Sequence, residues 1–356
     1  MTVRTCAAAA AILASAGCGA SSTESDATGA KKLPPINVRA GSMKSGFGTI
    51  ERLVEAAKRE GQLNVIGLPR EWVNYGEVID AFADKFDIKV NELEPGASSK
   101  RELDAAAKLK PDVFDLTMDV AVAHADKFAP YKVHGWQDLP DNIKDPAGNW
   151  YAAYGSYMSI GYDPRAVKPP ASFADLLKPG YRVALDGDPL RSASAFDGVM
   201  AASLRGGVPQ AAQGVDLFAR LKQEGRYTDL TKANAIIAWD HLNAARSAHH
   251  SDAWHVTIPK DAALGDYHVQ AISKDAPHPA AARLWQEFLF SDEGQNLLQK
   301  GFARPARSEA MQMKGSLDAE QAAKLPKAPG PPVLLTIPQA DAAKTYLKEE
   351  WAKRVG

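Results

Sequence analysis

Apolar residues recur along the chain at two spacings that alternate. Ile50, Leu53, Val54 and Ala57 mark one face of a helix that Gly61 stops. Leu63 to Leu68 is a short apolar run bounded by Gly and Pro, the pattern of a buried strand. Val78, Ile79, Phe82 and Phe86 return to helical spacing, and Ile88 to Leu93 predicts a second strand. Leu103 to Leu109 predicts a helix, Asp112 to Thr117 a third strand, and Val120 to Phe128 another helix. Such alternation predicts a parallel α/β sheet covered on both faces.

From Tyr154 the rhythm changes. Tyr154 to Tyr162 (YGSYMSIGY) and Asp266 to Ser273 (DYHVQAIS) are long extended runs. Between them, short strands are expected at 181–186, 234–239 and 253–258, and helices near 192–204, 210–223 and 240–248. Helices follow at 278–290 and 292–300, the second with Ser291 as N-cap and Asp292 and Glu293 in its positive first turn. Residues 325–337 are proline-rich and irregular, and a last amphipathic helix runs from Gln339 to Arg354. There is no internal repeat. The two long runs read as crossovers between two α/β lobes, with a ligand held between the lobes near the C-terminal ends of the strands.

The first residues form a different kind of segment. Arg4 is followed by an alanine-rich apolar stretch at 6–13, too short to span a membrane, and then by Ala14-Ser15-Ala16-Gly17-Cys18. That is the layout of a signal peptide over 1–17. With Cys18 as the first mature residue it resembles a bacterial lipoprotein signal, although Ser15 stands where such signals usually carry leucine. The Ser/Thr/Gly-rich stretch that follows reads as a flexible linker, taken as 18–45. Residues beyond it are too many for one compact core. The chain has 42 basic and 43 acidic residues, so no broad basic field invites nucleic acid. Its two cysteines, Cys6 and Cys18, supply neither a disulfide framework nor a cysteine metal cluster to the domain.

Several segments carry a resemblance. Ala276 to Leu298 (APHPAAARLWQEFLFSDEGQNLL) looks like the C-terminal signature of extracellular solute-binding proteins of ABC importers. YMSIGYDPRAV (157–167), PASFADLLKPGYRVAL (170–185) and AWDHLNAA (238–245) resemble the crossover, second-lobe entry and pocket strand of the same family. The branch resembled is the spermidine/putrescine type, related to binders of iron, thiamine and phosphonates. The loops near 181–188 and 225–238 are shorter than in that branch. The resemblance implies a two-lobed periplasmic-binding-protein-like fold of type II. Each lobe is a mixed sheet flanked by helices, with two hinge crossovers. Residues 46–155 and 270–356 are assigned to lobe 1 and 156–269 to lobe 2.

Candidate site residues follow from strand ends and from the resemblance. Trp72 and Tyr75 form a W-x-x-Y pair after the first strand, three residues apart on one helix face. They are pocket aromatics or core. Glu94, Ser98 and Ser99 follow the second strand, as an acid for an ammonium, hydroxyls for an anion, or loop and cap residues. Asp119, directly after the third strand, is an amine ligand or a helix N-cap. Tyr154 and Tyr157 lie on the first crossover, with one expected in the pocket. Asp186 and Asp188 end a second-lobe strand, where one faces the cleft by resemblance or both make a turn. Trp239 and Asp240 end the strand at 235–238 and match an aromatic pocket position, an aromatic wall plus carboxylate suited to a protonated amine. Asp240 also suits a helix cap. Tyr267 matches a further aromatic wall, but Val269 stands where the branch often has a carboxylate. His249, His250, Asp252 and His255 read as a solvated loop rather than a metal site.

The implied function is capture of a small cationic solute, a polyamine such as putrescine or spermidine, and its delivery to ABC permease subunits. The implied protein is a monomer held outside the cytoplasm by lipid on Cys18. The ligand-binding set is Trp72, Tyr75, Asp119, Tyr154, Asp188, Trp239, Asp240 and Tyr267, with no cofactor and no metal. Alternatives are the same fold binding thiamine, ferric iron or a phosphonate. The absence of a Tyr-Tyr dipeptide weighs against iron. An extracytoplasmic enzyme ranks lower, since no G-x-S-x-G, H-E-x-x-H or P-loop pattern is present, and a scaffold lipoprotein lower still.

Overall fold

Among the described residues the alternating pattern folds into ten short and long strands: β1 (Gln62–Ile66), β2 (Lys89–Leu93), β3 (Val113–Thr117), β4 (Phe128–Ala129), β5 (Tyr151–Tyr162), β6 (Val183–Leu185), β7 (Ala235–Trp239), β8 (His255–Thr257), β9 (Gly265–Ser273) and β10 (Arg304–Pro305). This is a computed structural model that describes residues 33, 35–249, 254–260 and 263–356, and Pro34–Gly356 make up one unit. The expected signal segment, Cys18, and most of the linker lie outside the described residues, as do His250 and Asp252.

The strands lie in the order β2-β1-β3-β9-β5-β7-β6. Pairing is parallel among β2, β1 and β3, and again between β7 and β6. It is antiparallel across β3-β9, β9-β5 and β5-β7. β5 joins the two halves. Tyr151 to Tyr157 pair with β9, and Met158 to Tyr162 pair with β7. Two hydrophobic cores form on either side of that change of partner. The first gathers Leu63, Val65, Phe114, Tyr154, Val269 and Trp285. The second gathers Met158, Ile160, Val183, Phe218, Ile237 and Trp351. β7 is buried along its whole length, which explains the unbroken apolar run Ala235-Ile236-Ile237-Ala238-Trp239.

Local capping residues set the helix ends. Thr49 accepts a hydrogen bond from Arg52 N at the start of Ile50–Glu60, and Gly61 ends that helix at φ 73°, where an L side chain is disfavoured. Ser291 caps Asp292–Lys300, as its sequence position predicts. Tertiary pairing overrides the pattern in one place. The helix expected over Val120 to Phe128 stops at Ala123, because Phe128 and Ala129 pair with Ser273 and Ile272 as β4.

The C-terminal helix corrects the lobe assignment made from sequence. Residues 270–306 stay with the first core, but the helix Ile337–Arg354 packs on the second. Ala343, Leu347, Trp351 and Val355 recur every four residues and form a stripe against that core. Trp351 meets the rings of Phe218 and Tyr227 at 5.4 and 6.3 Å between centroids. An amphipathic stripe states that a helix is docked but not on which of two cores. Replacing Trp351 by Ala is expected to cost about 3–5 kcal/mol in urea unfolding. A loss below ~1 kcal/mol would show that this helix is not anchored there.

Candidate ligand-binding cleft

The loops after β2, β3 and β6 converge on a cavity of about 430 Å³. Ser98, Ser99 and Lys100 follow β2, Thr117 to Val120 follow β3, and Pro189 to Ala193 with Phe196 and Asp197 follow β6. Gly265 and Asp266 enter from the start of β9. Leu334, Leu335 and Lys344 close one side from the C-terminal segment. The walls thus come from both cores and from a strand that links them, where open α/β sheets place their ligands.

Two groups of side chains fix the walls. The first holds the loops. Ser98 caps the helix Ser99–Leu109, and Ser192 caps the helix Ala193–Ser203. The hydroxyl of Ser99 accepts from Thr117 N at 2.9 Å and so ties the β2 loop to the β3 loop. The second group is charged. Thr117 Oγ1 donates to Asp119 Oδ1 at 2.6 Å, and Lys344 Nζ lies 3.5 Å from Asp119 Oδ2. The same Nζ stands 5.5 Å from the centre of the Phe196 ring. Asp266 accepts from the backbone N–H of Tyr267 at 2.8 Å. Asp197 is only 9% exposed, lines the cavity and has no hydrogen-bond partner.

Three carboxylates therefore face one small space. Burial pushes the Asp197 carboxyl well above its usual range, the charges of Asp266 and Asp119 push it further, and the charge of Lys344 opposes them. Burial likewise raises Asp266 to about 6, Asp119 adds to this, and His268 and the Tyr267 N–H oppose it. A carboxyl raised in this way favours its neutral form until a cation arrives.

The residues expected from sequence are distributed differently. Asp119 lines the cavity. Trp72, Tyr75 and Tyr154 come together instead in a polar network under the first lobe. Trp72 Nε1 donates to Tyr154 Oη at 2.8 Å, and Tyr154 Oη to Asp115 at 3.4 Å. Gln270 Nε2 donates to Asp115 at 2.8 Å and to Tyr75 Oη at 3.3 Å. His268 stacks on Tyr154 with centroids 5.1 Å apart. Trp239 is buried in the second core. The carboxylate of Asp240 is buried and fully engaged by the N–H groups of Tyr157 and His241 and by Arg304 Nε at 2.7 Å. Neither wall nor free carboxylate remains at that pair. Tyr267 lies over Gly155, where a Cβ would fall 2.5 Å from the tyrosine ring. Asp188 makes the turn into the helix Ala193–Ser203, accepting from Leu190 N. Glu94 is paired with Arg101. His255 packs its ring on Tyr162.

Asp197, Asp266, Phe196 and Lys344 were not singled out from the sequence. Asp197 had a signal. It is the one charged residue of the helix ASAFDGVMAAS, which is otherwise apolar or small. Asp266 stands one residue before Tyr267 on the second crossover.

A family model described as a bacterial extracellular solute-binding protein matches residues 113–329. The chain belongs to that family. Members act outside the cytoplasm, and among the described residues no helix is long and apolar enough to cross a membrane. No curated protein sequence matches the chain. Solved structures share its two-lobed periplasmic-binding-protein fold at low identity. An extracellular solute-binding protein from Bordetella parapertussis is 14% identical with a TM-score of 0.64, covering 84% of this chain and 100% of its own. The spermidine/putrescine ABC transporter substrate-binding protein PotD from Streptococcus pneumoniae is 13% identical with a TM-score of 0.63, covering 83% and 99%. The ferric ion-binding protein A of Pasteurella haemolytica is 16% identical with a TM-score of 0.60, covering 82% and 98%.

The raised Asp266 carboxyl has a consequence for this solute-binding protein without ligand. A folded value of about 6 against an ordinary value near ~4 means that the folded state holds the proton more tightly. The resulting stability is present below about pH 4 and is lost as pH rises through about 6. In Asp266→Asn that loss is absent. The melting temperature of the variant minus that of the wild type is therefore expected to grow between about pH 4 and pH 7. A difference that stays constant over this range would refute a buried, titrating Asp266.

Proposed function

We propose that this solute-binding protein captures a small organic cation, anchored through an ammonium group, and hands it to the permease of an ABC importer. Primary amines, polyamines among them, are the first class to test. The observation that carries the reading is Asp197: buried, facing the cavity and without a hydrogen-bond partner. A buried carboxylate left unpaired is costly, and a ligand ammonium supplies both counter-charge and donors. Asp119 and Asp266 stand with it in a cavity that Lys100, Arg191, Lys344 and Lys348 also line, and the Phe196 ring lies under Lys344. Ser192 is engaged both ways, accepting from Ala195 N and donating to Asp186 O, whereas Ser98 and Ser99 accept from Arg101 N and Thr117 N and keep an O–H to donate, which makes phosphate the comparison ligand. Closure of the two lobes about β5 and β9 would seal the ligand from water, a hinge motion. A lipid on Cys18 would hold the receptor near its permease.

Titration calorimetry with putrescine, spermidine, thiamine and inorganic phosphate tests this directly. The wild type is expected to bind an amine, and Asp197→Asn to bind it at least about tenfold more weakly, from the loss of a charge-assisted contact. Unchanged amine affinity in Asp197→Asn, or binding of phosphate alone, would overturn the reading.

A further inference from the structure

The three cavity carboxylates are not equally free. Asp197 has no hydrogen-bond partner and Asp266 only the N–H of its neighbour Tyr267, although both feel the charge of Lys344. Asp119 has two partners, the hydroxyl of Thr117 and the ammonium of Lys344. Lys344 enters the cavity from the C-terminal helix, between Ala343 and Leu347, both buried in the second core. The helix that carries it is thus held by packing against the second core. Its ammonium stands between a carboxylate at 3.5 Å and an aromatic ring at 5.5 Å. That is the surrounding a free alkylammonium would seek.

Resting on the cation reading above, we propose that Lys344 is a built-in second ammonium that sets ligand specificity. By holding Asp119 it leaves one anchoring position, at Asp197 and Asp266, for a positive charge brought by the solute. The preferred solute is then an amine with a single ammonium. An α,ω-diamine brings a second charge that meets Lys344, and like charges at close range repel. Asp119 belongs to the first lobe and Lys344 to a helix packed on the second, so the two meet only across the cleft.

The test compares two probes of equal carbon length, n-butylamine and putrescine, on the full chain by calorimetry. Wild type, Lys344→Met and Lys344→Arg are each first checked for an unchanged melting profile. Lys344 is half exposed, so these changes leave the core intact. The wild type is expected to bind butylamine at least as tightly as putrescine. Lys344→Met is expected to shift the ratio of affinities toward putrescine by tenfold or more, and Lys344→Arg to keep the wild-type ratio. The same ratio in wild type and Lys344→Met would overturn the role of Lys344 and leave the cation reading standing. So would a wild type that already prefers putrescine tenfold. Failure of every variant to bind either amine would overturn the cation reading and this inference with it.

Discussion

Strand β5 gives its first half to one sheet and its second half to the other, and β9 runs antiparallel beside the first half. Everything else is hung on this pairing. Backbone N–H and C=O groups in the middle of a protein must be paired. A strand that changes partners part-way satisfies them while carrying the chain from one core to the next. Its side chains join first one core and then the other. Tyr154 belongs to the first core and Met158 to the second. Because β3 pairs with the other edge of β9, the loop after β3 and the start of β9 are brought to the same place. Asp119 and Asp266 meet at the cavity for that reason.

The cavity stores charge that folding alone would avoid. Elsewhere buried acids meet hydrogen-bond donors. Asp240 is met by Arg304, and Asp115 by Gln270 and Tyr154. Asp197 is the contrast, since its helix is buried along nearly its whole length and no donor reaches it. Burial then favours the protonated acid, and a bound cation favours the carboxylate. On the proposed reading, binding and protonation are linked at one position, on a helix whose start is held by the cap at Ser192.

The region round Trp72, His241 and His268 shows a different use of similar residues. Trp72 sets its ring against His241 at 4.9 Å, while Ser156 Oγ lies 2.6 Å from His241 Nδ1. Burial, with the charges of His268 and Arg246 adding to it, lowers His241 to about 3, so the ring is neutral in the working range. Aromatic and carboxylate residues of the kind that suit an amine are here occupied with one another. Residue type alone does not separate the two uses.

How much was legible follows from the range of each interaction. The strand–helix alternation, the caps at Ser291 and Gly61, and the two long crossover runs depend on neighbours within a few residues, and they could be read directly. Asp119 could be read as well, because the end of a parallel strand points toward the cleft whatever lies opposite. The docking of the C-terminal helix could not, since its apolar stripe suits either core. Nor could the fates of Asp240 and Asp197. The first is met by Arg304 on β10, and the second by no hydrogen-bond donor. Whether a carboxylate is a ligand group or a structural ion pair depends on what stands across from it. The amino-acid sequence determined the elements, their caps and the existence of two lobes, because backbone geometry and periodicity are local. The tertiary structure alone decided which acids stay free, because their partners are distant in the chain and are placed only by packing.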